Sequence, residues 1–176
     1  MSLSTGPVAD LRRLSVSELA QIGSDSLRDH IAAQAVVAHH RHAPLTFAAL
    51  DALLTDPECL RYPTRLAFEF GEMAAHQFAQ PDLDQGNREQ DGRVLYLRPL
   101  LRERPELAVL AVAYMIPVIN YGDIVSDDHC LRYGATLMGM MESEFYEAIC
   151  LMADLVGAEP KEQTELPSRS RNEPTR

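Results

Sequence analysis

Three groups of residues in this chain have types and spacings that could do chemistry. The first is His39-His40-Arg41-His42, with His30 upstream. Imidazole is a ready ligand for zinc, iron and nickel. On a helix, His39 and His42 stand three apart and share a face. No carboxylate or third histidine lies beside them to finish a site, and HExxH is absent, which excludes the zincin arrangement. Histidines near a helix C-terminus are also favoured by the helix dipole alone.

The second group is Glu69, Glu72 and His76. On a helix these would lie near one face, like the carboxylate and imidazole supply of helical di-iron bundles. Those bundles use Glu-x-x-His twice. Here Glu72 and His76 are four apart, and Glu142, Glu144 and Glu147 have no nearby histidine. A metal centre read from sequence therefore draws on His39, His42, Glu72 and His76, and would take a divalent transition metal, zinc or iron. No other cofactor is expected.

The third group is Asn120-Tyr121-Gly122-Asp123 followed by Asp127, Asp128 and His129. These polar residues follow the most apolar stretch of the chain. Polar groups at the mouth of an apolar core are where pockets collect. Asp123, Asp127 and His129 are the candidate acid/base set, although Asp127 and Asp128 also suit the first turn of a helix.

Other chemistries are excluded. There is no GxSxG, and the glycines are scattered singly, with no phosphate-binding loop. Lys161 is the only lysine, an arginine bias that fits a GC-rich bacterial genome. The body of the chain thus has no Schiff-base or phosphate-loop lysine. Cys59, Cys130 and Cys150 form no CxxC pair, so a zinc site of paired thiolates is not expected. Sparse, unpaired cysteines suit a reducing compartment.

These residues need elements to hold them. Ser15-Val16-Ser17-Glu18 is a capping box. It starts a short helix over 16–22, which should break at Gly23-Ser24-Asp25. A second helix runs to about Arg41 with Leu27, Ile31, Ala35 and Ala38 near one face. Thr46 caps a third, which Asp56-Pro57 stops. Leu66, Phe68 and Phe70 then alternate with Arg65, Ala67 and Glu69, the period of a half-buried strand. Arg93 to Arg98 is a second strand after the turn Asp91-Gly92. The two runs, 64–70 and 93–98, are expected to pair as an antiparallel hairpin. Between them, Gln80 to Asp91 reads as a polar loop.

The rest is helical. Pro105 fits a first turn, and Glu106 to Tyr121 is apolar nearly all round, as a central or interface helix is. Pro117 should kink it. Ser126 caps the next helix, to about Met138. A last helix spans 143–156, with Phe145, Ile149, Met152 and Val156 at helical spacing. The fold class is α+β: mostly helical, with a small antiparallel hairpin or sheet packed on the helices. The alternative is all-α, with 64–80 as one helix.

The chain has 176 residues, 46% of them hydrophobic and 24% charged, one domain's worth of ordinary globular composition. Residues 1–14 read as a flexible lead-in, 15–157 as one domain and 158–176 as a disordered tail. A net charge of −10, with no basic cluster, argues against nucleic acid and anionic membranes as partners. The apolar run Leu107–Ile119 falls short of the ~20 residues of a membrane span, and the N-terminus lacks the pattern of a secretory signal. A bacterial cytoplasmic location is expected. The sum points to a non-catalytic binding or assembly (accessory) protein. It should form a homodimer, or meet a protein partner, through the 143–156 helix, where Met138, Met140, Met141 and Met152 make a soft apolar patch. The alternative is a metal-dependent or acid/base enzyme using one of the clusters above.

Overall fold

Ser15 opens the first helix as its capping box requires. In the computed structural model, which describes residues 15–83 and 92–159, the Ser15 hydroxyl accepts from the Glu18 amide. The Glu18 carboxylate in turn takes the Ser15 amide at 2.8 Å. Helix α1 then runs without interruption over Val16–His42. The break expected at Gly23 does not occur. One glycine costs a helix interior only about 1 kcal/mol, and the pairs Gln21–Asp25 and Arg28–Asp25 lace the turns around it. Helix α1 buries Ile31, Ala35 and Ala38, while most of its first half is exposed. A 3₁₀ turn, Phe47–Ala49, leads into the short helix α2, Leu50–Leu54. Thr46 holds the N-cap position without a side-chain cap bond.

The strands are β1, Thr64–Phe68, β2, Ala79–Asp82, and β3, Arg93–Leu97, in the order β1-β3-β2. The α+β class holds, and β1 and β2 rule out one helix over 64–80. The pairing of the two strands read from sequence is corrected. β1 and β3 run parallel, Thr64 opposite Arg93 and Phe68 opposite Leu97. The antiparallel neighbour of β3 is β2, with Ala79 opposite Leu97. The chain between β1 and β3 is long enough for a crossover, which parallel strands need. Pro81 sits in β2, an edge strand, where a missing N–H is tolerated.

Arg98 fastens that crossover. Only 1% exposed, it donates to the carbonyls of Ala74, Ala75 and Gln77. Its guanidinium lies 5.1 Å from the centroid of the Phe70 ring. Carbonyls thus satisfy a buried cation that would otherwise be costly.

Pro105 takes the first turn of α3, Pro105–Tyr121, which continues through Pro117. The stretch Pro105–Ile124 is long and apolar enough to cross a membrane by length and composition alone; 56% of its apolar 18-residue window is buried inside the fold. It packs chiefly on α4, Asp127–Met138. Gly122, at φ 63°, ends α3. Ser126 caps α4, and Gly139 closes it in the left-handed conformation. Helix α5, Glu142–Gly157, follows. A methyl group on Gly134 of α4 would sit 2.2 Å from the Phe145 ring of α5, so the two helices meet there at glycine distance. Residues 1–14, 84–91 and 160–176, where the expected lead-in and most of the expected loop and tail fall, lie outside the described residues.

Candidate metal centre

The last turn of α1 carries Arg41 and His42 to the loop that follows α2. There Asp56 starts a tight turn: Cys59 and Leu60 amides donate to its carbonyl, and the Glu58 amide donates to its Oδ1 at 3.0 Å. Its other oxygen, Oδ2, receives Arg41 Nε at 2.7 Å and His42 Nε2 at 2.8 Å. Arg41 also reaches Oδ1 at 3.2 Å. The Cys59 thiol lies 3.7 Å from Oδ2 and donates to it.

The electrostatics follow from these contacts. Arg41 beside Asp56 holds its carboxyl well below the usual carboxylate range, with help from His42 and the Glu58 amide and against the cost of burial. Burial, then the neighbouring Asp56 charge, pushes the Cys59 thiol up to about 11. As it stands, the group is an ion-paired clamp between the end of α1 and the 56–60 turn.

His42, Asp56 and Cys59 could also hold a metal ion. Their ligand atoms all lie within 4.8 Å of one another. Imidazole nitrogen, carboxylate oxygen and thiolate sulfur are the zinc donor types. A bound cation would take the place of the thiol proton, since a coordinating thiol is deprotonated. Arg41 is half exposed and can keep Oδ1 as an outer-shell partner while Oδ2 turns to the ion. The Tyr133 hydroxyl of α4 is buried, with no hydrogen-bond partner among the described residues.

Of the residues singled out from sequence, His42 alone joins this group. His39 turns the other way and donates from Nδ1 to the Leu137 carbonyl at 3.0 Å, tying α1 to the end of α4. Glu72 and His76 are exposed on the crossover. In the acid/base set, Asp127 accepts from the Tyr114 hydroxyl at 2.8 Å. The Nδ1 of His129 accepts the Ser126 amide at 3.0 Å, completing the cap of α4. Asp123 is exposed and, with Glu72, lines a cleft of about 590 Å³ beside β2. Two residues from different sequence groups thus share one cleft, while His39 and His129 serve helix ends.

Asp56 and Cys59 were not singled out by sequence reasoning. The available signal was Asp-x-x-Cys directly after a helix, with a histidine ending the helix before it. Asn120 was noted, and it has a positioning role. It is buried, accepts from the Arg61 amide and donates to the Cys59 carbonyl, both at 2.9 Å. The end of α3 thereby holds the 59–61 backbone. No protein family, curated protein or solved structure matches this chain.

Proposed function

We propose that this chain is a non-catalytic binding and assembly protein of the cytoplasm, organised around a zinc site at His42, Asp56 and Cys59. The observation that carries the reading is the convergence of three different ligand side chains, from the end of α1 and the 56–60 turn, on one point. Zinc suits a mixed nitrogen, oxygen and sulfur set. Iron of the non-haem type takes two histidines and a carboxylate, and this group has one histidine. A catalytic zinc keeps a position open to substrate. Three protein ligands leave the fourth position of a zinc tetrahedron to a non-protein ligand, but Asp56 and Cys59 are buried and His42 is nearly so, which keeps substrate out and favours a structural role. In that role the ion ties α1 to the turn, and its binding free energy adds to folding.

Thermal melting in a zinc titration tests the reading. With free zinc about a hundredfold above Kd, the melting temperature should rise by roughly 5–10 °C. Cys59→Ser and His42→Ala should each remove most of that rise. No rise in the wild type, or an equal rise in both variants, would discard the site.

Assembly rests on a separate observation. Helix α5 buries Phe145, Ile149, Met152 and Val156 against the core, yet leaves Leu151 71% and Leu155 38% exposed, with Met141 at its start 68% exposed. A second copy of the chain is the partner we assign to this helix, since closed two-fold dimers are the commonest assemblies.

A further inference from the structure

The cleft lined by Glu72 and Asp123 does not end at β2. A second hollow of about 320 Å³ adjoins it, sharing Leu83 and Asp123 with the first. Its walls carry Arg61, Arg93 and Tyr62. The Arg93 guanidinium lies over the Tyr62 ring, 3.7 Å from its centroid, and that of Arg61 lies 5.5 Å from the same centroid. Arg93 also donates to the Ile119 carbonyl at the end of α3. Two guanidinium groups therefore share one aromatic ring. Neither meets a carboxylate within ion-pair distance among the described residues.

The arginines line one hollow and Glu72 the other, and Asp123 stands where the two meet. Two arginines beside one ring repel each other, and a ligand anion beside them offsets that repulsion. Guanidinium groups match a carboxylate in shape and donors. The arginine arm is also pre-positioned. Stacking and the Ile119 carbonyl hold Arg93, and Asn120 holds the backbone of Arg61. The other arm presents Glu72 and Asp123, with Asp82 of β2 and Tyr96 of β3 in its lining. Its size falls within the range of small-ligand pockets.

We propose that this two-armed cleft binds a small zwitterion of the amino-acid or short-peptide class. Its carboxylate lies at Arg61 and Arg93, and its ammonium at Glu72 and Asp123. The proposal needs no metal and stands apart from the zinc site.

The test is an NMR titration of the ¹⁵N-labelled protein with alanine, dialanine and trialanine. The dipeptide is also tested in N-acetylated and C-amidated forms. At least one unblocked compound should shift the amides of Arg61, Tyr62, Arg93 and Asp123. Removing either ligand charge, or making Arg61→Gln or Glu72→Gln at these exposed positions, should weaken binding about tenfold. No shift at about 10 mM of any unblocked compound would overturn the proposal. So would equal binding of the acetylated form, which marks a plain anion site, or of the amidated form, which marks a plain cation site.

Discussion

Asp56 serves two ends with one carboxylate. It starts the turn after α2 through its backbone and Oδ1, and it anchors Arg41 and His42 of α1. In metal-free protein, Asp56→Ala should destabilise the fold by about 2 kcal/mol, read as a lower urea midpoint at pH 7. The pH dependence has a definite sign. The folded carboxyl titrates below its unfolded value of about 3.9, so its stabilisation is full above that value and fades as pH falls through the folded value. Wild type and Asp56→Ala should thus differ most at neutral pH and converge in strong acid. A difference that grows on acidification would contradict the clamp. The clamp was half legible in the sequence. His42 stood out by residue type. Asp56 read as the punctuation before Pro57, and Cys59 as a lone thiol without a partner. What unites them is the path of 43–55, which folds the end of α1 over the turn, and no periodicity records that path.

Helices α4 and α5 meet where Gly134 faces Phe145. Gly134→Ala should therefore cost about 1–3 kcal/mol through overpacking, although alanine is the better helix former. Combining it with Phe145→Leu should recover part of that loss. A Gly134→Ala protein as stable as the wild type would refute the close approach. These helices, and α3, were readable because caps and apolar spacing agree there: Pro105 and Ser126 begin helices, and Gly122 and Gly139 end them. Helix α1 was misjudged because Gly23-Ser24-Asp25 carries the residues of a turn while the flanking pattern favours a helix. The sheet was harder. β1 and β3 show strand patterns, but Ala79-Gln80-Pro81-Asp82 alternates nothing and contains a proline. Without β2, the two legible strands have only each other, and a hairpin is the natural reading. The Arg98 contacts that hold the crossover in place join residues far apart in sequence.

For the whole molecule, the balance of buried and exposed apolar surface governs assembly. The core takes one face of α5, and Leu151 and Leu155 remain outside. Light scattering at micromolar concentration should show a dimer, and Leu151→Asp with Leu155→Asp should give a folded monomer whose melting temperature no longer depends on protein concentration. A wild-type monomer, or a doubly substituted dimer, would refute this interface. The apolar 107–119 helix and the methionine patch suggested association in the sequence; of that patch Met152 is buried and Met141 exposed, and Leu151 and Leu155 are the side chains to substitute. The metal reading depends on the molecule as a whole in the same way, because α1 and the 56–60 turn must pack together before the three ligands meet. Its most direct test is the zinc content of the purified protein after incubation with zinc and exhaustive dialysis, measured by elemental mass spectrometry beside Cys59→Ser. About one zinc per wild-type chain, with little in the variant, is the expected result. A wild-type protein without zinc, or a variant that retains as much, would contradict a centre at His42, Asp56 and Cys59.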